Sequence, residues 1–407
     1  MTARFIGSEI YRGSSYGGRH PLAIPRVSTV IDLARALGWL PRDRYITSPR
    51  ARPAALHAFH TPAYVDALQR AEAAQAVSDE ARARHGLGTV SNPVFPEMFR
   101  RPATGAGGAM LAAEMVRDGG VVHVPGAGTH HALADRAAGF CYLNDPVLCL
   151  LHLRRLGLTR IAYVDIDAHH ADGVEAALAG APDMLLISTH EARRWPFTGA
   201  LDDDGGGNVF NLPVPRGLND SEFAAIRERL LIPLLARFQP QVIVAQCGAD
   251  SLLEDPLSRL ALSNRAYLDH VTALRGLASG LIVMGGGGYN PWSVGRLWTA
   301  IWGQLAGEAL PERLPPKAEA VLRALTWPGR LAGKNPPESW FATLIDRPRP
   351  GPVSPDLAKA IDHLRGRIAA LPEALARLGE LDRGKAGRGG VGGNGASGER
   401  RLGTAHH

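Results

Sequence analysis

Residues 163–175 read Tyr163-Val164-Asp165-Ile166-Asp167-Ala168-His169-His170-Ala171-Asp172-Gly173-Val174-Glu175. Five side chains able to bind a divalent metal, Asp165, Asp167, His169, His170 and Asp172, stand within eight positions. They follow directly on Arg160-Ile-Ala-Tyr-Val164, an apolar run that reads as a buried parallel strand. Charged groups at the end of a core strand are costly unless they are paired or ligate a metal. Asp167 and His169 sit two apart and so project to the same side of an extended segment. A helix cap or solvated loop would account for one aspartate; the cluster asks for a metal.

Outward from this stretch, apolar strand-like runs alternate with amphipathic helix-like ones. Strands are expected at Val121–Val124, Arg160–Asp165, Met184–Ser188, Val242–Cys247 and Leu281–Met284. Helices are expected near 27–37, 105–118, 145–157, 221–237, 264–278, 292–306 and 356–380. Continuous apolar strands separated by helices predict an α/β fold, a mainly parallel sheet covered on both faces. The N-terminal segment and the Pro-rich stretch 310–356 are expected to wrap that sheet rather than fold separately. In open α/β sheets ligands bind outside the carboxyl ends of the strands. There the chain places His130 and His131, then Asp165 to His169, then Asp250, then Gly285-Gly-Gly-Gly288-Tyr289. Four unusual clusters converge on one edge.

Bulk properties restrict the function class. The 407 residues, 45% hydrophobic and 21% charged, suit an ordinary globular protein. No apolar run reaches the length of a membrane span. The N-terminal MTARFIGSEIYRG lacks the pattern of a secretory signal, and Cys141, Cys149 and Cys247 form no CxxC pair, so a reducing cytoplasm is expected. Of the net charge of +6, residues 383–407 carry +4, five basic residues against Glu399. The remainder is not the basic footprint of a nucleic-acid binder, and no membrane partner is indicated. The same end of the chain is Gly-rich and poor in apolar residues, which predicts a catalytic domain over 1–380 and a disordered tail over 381–407.

The motifs GTHHA (128–132), GFCYLND (139–145), DIDAHHADGVE (165–175), GAD (248–250) and GGGGYN (285–290), in this order, resemble the signature of the histone deacetylase superfamily. That superfamily also holds acetylpolyamine amidohydrolases and bacterial acetoin-utilisation deacetylases. GLGT (86–89), NPVF (92–95) and DPLSRLALSN (255–264) look most like the acetoin-utilisation branch. The resemblance runs from about residue 16 into the 330s and implies one arginase/deacetylase-like domain. It makes Asp167, His169 and Asp250 the three protein ligands of a zinc ion, a set that also suits iron(II). Such an ion would lower the pKa of bound water and polarise an amide carbonyl. His130 and His131 would be the acid–base pair, partnered by Asp165 and Asp172, and Tyr289 the hydroxyl facing the oxyanion. Gly139, Phe140 and Leu257 would line a substrate tunnel, completed by Trp195 or Phe197. Arg26 would lie near an inner channel. A monovalent cation, potassium, would be held by Asp165 and by carbonyls of Asp167, His169, Ser188 and Thr189. His170, Cys141 and Cys247 read as packed neighbours.

The implied activity is removal of acetyl groups from N-acetyl-lysine in proteins or peptides, with small acetyl-amines such as acetylpolyamines as the alternative. Ser91 stands at the rim where many relatives carry an aspartate that grips the substrate backbone, and Ala171 replaces a frequent glycine. Glu97 is the one acidic residue in the 90–105 loop that could meet a distal ammonium. A non-catalytic acetyl-lysine reader would have lost a ligand, a histidine or the tyrosine; none is missing. Oligomeric state is left open.

Overall fold

The strands found are β1 (Arg4–Gly7), β2 (Tyr45–Thr47), β3 (Gly120–Val124), β4 (Ile161–Asp165), β5 (Met184–Glu191), β6 (Val209–Val214), β7 (Val242–Gln246) and β8 (Gly280–Met284). They form one sheet in the order β2-β1-β3-β8-β7-β4-β5-β6, and every neighbouring pair is parallel. The computed structural model describes residues 2–327 and 336–388.

Strand side chains alternate between faces, and here both faces are apolar. Ala162, Val164, Ile243, Ala245, Leu281 and Val283 pack on one side with helices Val27–Ala36, Asn264–Arg275 and Pro291–Ala306. Ile161, Tyr163, Val242, Val244, Ile282 and Met284 pack on the other with helices Arg100–Val116, Asp145–Arg155 and Asp172–Leu178. The segments outside the alternating pattern join the same core. The N-terminus supplies β1 and β2, and Leu314, Ala318, Leu322 and Leu344 pack with the first group.

All five expected strands and the helices that alternate with them are present. Three strands escape the sequence pattern: β1 and β2 are short, and β6 (VFNLPV) is interrupted by Asn211 and Pro213. A proline is tolerated there because β6 is an edge. The helix read as 221–237 is helical from Asp220 to Phe238 but carries a π turn at Arg227–Leu231, just before Pro233, whose missing N–H breaks the regular ladder. The last helix is two, Pro355–Ile368 and Leu371–Arg388, and the second runs past the boundary drawn at 380. Of the tail placed over 381–407, residues 389–407 lie outside the described residues.

The order β3-β8-β7-β4 makes neighbours of the four strands whose carboxyl ends carry the unusual clusters. Two motif residues without chemistry of their own fix those loops. Asn144 caps helix Asp145–Arg155 by accepting from Val147 N (3.1 Å), and Asn290 caps helix Pro291–Ala306 by accepting from Trp292 N (3.1 Å).

Candidate active site

Asp167 and His169 leave the end of β4, and Asp250 sits in a single 3₁₀ turn (Ala249–Ser251) after β7. All three are buried, and one donor atom of each lies within 4.8 Å of the other two. His169 Nδ1 is 2.9 Å from Asp250 Oδ2 and 3.2 Å from Asp167 Oδ1. Burial and the neighbouring Asp167 charge push the Asp250 carboxyl up to about 6. Against burial, the hydrogen bonds to both carboxylates push His169 up to about 10. Two facing carboxylates in a dry site need a positive charge between them, and the donor set of two oxygens and one nitrogen suits a divalent ion with open positions. The backbone closes on the ligands: Gly287 N donates to Asp167 Oδ2 (2.7 Å) and Ala168 N to Asp250 Oδ1 (3.0 Å). A side chain on Gly286 would meet that same Asp167 oxygen at 2.9 Å, so the run of glycines after β8 is a packing requirement of the ligand set.

Beside this group lies the histidine pair. His130 Nδ1 donates to Asp165 Oδ2 (2.7 Å), His131 Nδ1 donates to Asp172 Oδ1 (2.6 Å), and the two Nε2 atoms are 2.9 Å apart. The two dyads differ in environment. Asp165 is buried and also accepts from Tyr163 Oη (2.6 Å) and Asp167 N (2.8 Å). Asp172 is at the start of a helix and partly exposed. Burial pushes His131 down to about 4, reinforced by the charge on His130. His130 is pushed up to about 9 despite burial, by Asp165 and Asp167. Each Nδ1 is taken up by its carboxylate, which leaves the two Nε2 atoms as the positions at which the pair can take up or release a proton.

Tyr289 closes the opposite wall. Its N–H donates to Asp255 Oδ2 (2.7 Å) and its ring meets Phe140 edge-on at 5.8 Å. Burial, then Asp250 and Asp167, hold its hydroxyl protonated far above neutrality, so it is available as a hydrogen-bond donor. Gly139 has φ +52°, and a Cβ there would collide with the Trp195 ring and approach His131 at 2.6 Å. Trp195 lies edge-on to His131 at 4.6 Å, whereas Phe197 is 74% exposed, so Trp195 is the residue that completes the wall. Leu257, like Phe140, packs against the apolar cluster that contains Tyr289. Ser91 is exposed, with its carbonyl accepting from His20 Nε2 (3.2 Å); His20 in turn stands edge-on to Phe140 at 4.5 Å. Ser188 and Thr189 are buried on β5. The cavity enclosed by these elements is lined by His130, His131, Gly139, Phe140, Asp167 and Tyr289 and continues inward to Arg26.

A family model for the histone deacetylase domain matches residues 20–305. The chain belongs to the histone deacetylase family. The acetoin utilization protein AcuC of Bacillus subtilis (strain 168) is 32% identical over 77% of this chain and 84% of its own length. Histone deacetylase 8 of Xenopus tropicalis is 31% identical over 71% of the chain and 80% of its own, while the putative histone deacetylase 2 of Caenorhabditis elegans (31% identical) is spanned over 61% of its length. Among solved structures, a histone deacetylase homologue from Aquifex aeolicus superposes with a TM-score of 0.86 at 34% identity, covering 90% of this chain and 100% of that one. A homologue complexed with SAHA superposes at 0.83 and 33%.

For a histone deacetylase family member, the sequence pattern names the charged groups and misses what holds them. Tyr163 looks like one more apolar strand residue, yet its hydroxyl binds both Asp165 and Gln246 Oε1 (2.8 Å). Gln246 in turn donates to Gly128 O (3.1 Å), tying β7 to the histidine loop. Asp255, at the head of DPLSRLALSN, and Arg101 likewise show no role in the sequence pattern. The one signal available was a charge inside an otherwise apolar or motif-bearing segment. His170 is a packed neighbour as read, bonded to Glu175 (3.0 Å) and Thr198 (2.9 Å). Ala171 is tolerated where a glycine is frequent because it is the residue before the helix, at φ −77° and ψ 52°, where a negative φ suits any side chain.

Proposed function

We propose that this chain is a zinc-dependent amidohydrolase that removes acetyl groups from N-acetyl-lysine in proteins or peptides and releases acetate. The observation that carries the reading is one cavity lined by two carboxylate-held histidines, a protonated tyrosine and Asp167, the last grouped with His169 and Asp250 as a set able to hold a metal. Asp167, His169 and Asp250 would hold the ion; bound there, it would lower the pKa of water and polarise the amide carbonyl. The remaining work belongs to side chains. His131, with Nδ1 held on Asp172, offers Nε2 to accept the proton of the attacking water and return it to the departing amine. His130, anchored on buried Asp165, keeps a positive charge beside the developing oxyanion. Tyr289 donates its hydroxyl to that oxygen. Gly139, Phe140, Trp195 and Leu257 confine an unbranched chain and exclude water. Exposed Ser91 leaves peptide-backbone recognition to other rim groups.

Iron(II) would fit the same donors. Potassium would bind against Asp165 and main-chain carbonyls of Asp167, His169, Ser188 and Thr189; the buried Thr189 hydroxyl, which finds no hydrogen-bond partner, supports a further ligand there. The relationship to AcuC and the absence of any helix long and apolar enough to cross a membrane, among the described residues, fit a cytoplasmic enzyme. The test is acetate release from acetyl-lysine peptides, free acetyl-lysine and acetylpolyamines by zinc-loaded protein, beside Tyr289→Phe and Asp250→Ala. Peptide turnover lost in both variants is expected. Turnover of acetylpolyamines alone would replace the lysine reading, and none on any substrate would end it.

A further inference from the structure

The cavity that holds the catalytic groups is also walled by Tyr11, Tyr16, Arg26, Arg101 and Gly126, and with them forms one chamber. Arg101, in the first turn of helix Arg100–Val116, is 7% exposed. Its guanidinium lies 5.4 Å from the centre of the Tyr11 ring and 5.2 Å from that of Tyr16, and Nη1 donates to Ser14 O (2.7 Å). Arg26 lies over Trp298 at 5.3 Å and donates through Nη1 to Gly286 O (2.7 Å), while its Nε is buried without a partner. Neither arginine pairs with a carboxylate of the described residues. Asp145, the carboxylate on this side of the cavity, is already engaged by Gly128 N (2.6 Å), Thr129 N (3.3 Å) and the Thr129 hydroxyl.

A guanidinium cannot shed its proton, and a buried charge without a counterion is destabilising. The aromatic rings offset part of that cost. The two arginines also sense each other: burial, and next the Arg101 charge, lower the pKa of Arg26. Such a chamber is complementary to an anion with more than one oxygen to place. The free volume of the whole cavity, catalytic end included, is about 50 Å³, room for about three or four waters, so only a short acyl group can be held there. A neutral aliphatic chain of that size would displace the water and leave both cations unpaired.

We infer that Arg26 and Arg101 form a carboxylate-binding end to the acyl pocket, so that the enzyme removes from lysine acyl groups bearing a distal carboxylate, such as malonyl or succinyl. The inference rests on the amidohydrolase reading and needs no further reactant. Water adds at the amide carbonyl, the C–N bond breaks, the amine leaves with a proton, and the product is a dicarboxylate whose far end stays on the arginines.

The experiment uses one peptide sequence carrying acetyl-, butyryl-, malonyl- or succinyl-lysine, with the zinc-loaded full chain and its Arg101→Met variant. The better of the two acidic acyl groups is expected to exceed butyryl in kcat/KM by about 10-fold or more, and Arg101→Met to cut that ratio by about 10-fold. A ratio is unaffected by the fraction of variant that folds. Acetyl turnover with no acidic preference, or a ratio unchanged in the variant, overturns the inference and leaves the hydrolase reading standing. A second readout does not depend on turnover: malonate should raise the thermal midpoint more than acetate does, and lose that excess in Arg101→Met. If no peptide is cleaved the hydrolase reading fails, and equal effects of malonate and acetate then dispose of the anion pocket as well.

Discussion

Tyr289 and His131 do different jobs from opposite sides of the same cavity, and each can be removed without touching a metal ligand. In the proposed mechanism Tyr289 supplies a hydrogen bond that matters only as negative charge develops on the amide oxygen, so Tyr289→Phe should lower kcat by roughly 10²–10³. Because its hydroxyl is not among the donors, metal content by atomic absorption should stay at the wild-type level; loss of metal would mean the tyrosine supports the site instead. Asp172→Asn, which leaves His131 without its charged partner, should cut turnover while Asp165→Asn also loosens the metal site, since Asp165 accepts from Asp167 N. At this scale the charged residues were readable because the tandem histidines, the aspartates after β4 and the tyrosine after four glycines are costly in a strand-end loop without chemistry. From the sequence Trp195 cannot be told from Phe197 as the tunnel residue, and Arg101 cannot be read as a site residue at all. What makes them so is contact with His131 in one case and with Tyr11 and Tyr16 in the other, across long chain separations.

Elements are where packing overrides propensity. Gly107 lies inside helix Arg100–Val116, a position where alanine would ordinarily stabilise by roughly 0.5–1 kcal/mol. Here a Cβ would drive into Pro49 O and come within 2.8 Å of Ala51 N, both backbone atoms that cannot swing aside. Gly107→Ala should therefore lower the urea midpoint, and a raised midpoint would show that the helix does not sit that close. Helix Asn264–Arg275 presents the opposite case. His270 is fully buried and neither ring nitrogen has a partner. His270→Leu should stabilise by about 1–3 kcal/mol, and a loss of stability would reveal a polar contact at this position. Element positions were legible where the apolar period was strong, in β3, β4, β5, β7 and β8. β1, β2 and β6 were not, because three to six residues with a Pro or Asn carry little signal and are strands only through their neighbours.

Across the whole molecule, buried neutral histidines couple the fold to pH. Burial pushes His60 and His123 down to about 4 and His270 to about 3. His60 is fixed in the neutral form by accepting from Asn144 N (2.9 Å). In the unfolded chain each would titrate near 6.5. The stability they allow is complete above that value and is lost as pH falls through the range down to about 4, with each worth about 3 kcal/mol at the limit. The difference in urea midpoint between His270→Leu and the wild-type chain should hold between pH 8 and 7 and widen steeply between pH 6.5 and 4.5; a constant difference would contradict the burial of this ring as a neutral species. The global arrangement, a parallel sheet with chemistry at its carboxyl edge, followed from the alternation of apolar strands and helices. The strand order did not, since nothing local states that β8 lies between β3 and β7. It is this order that gathers the ligands, the histidines and the tyrosine.

The central claim is that one ion on Asp167, His169 and Asp250 switches on amide hydrolysis. The most direct measurement is acetate release from an acetyl-lysine peptide as zinc is added to chelator-stripped protein. Release should be absent at the start, rise linearly and break at one ion per chain. Turnover in the stripped protein, or none once a single ion is bound, would contradict the account.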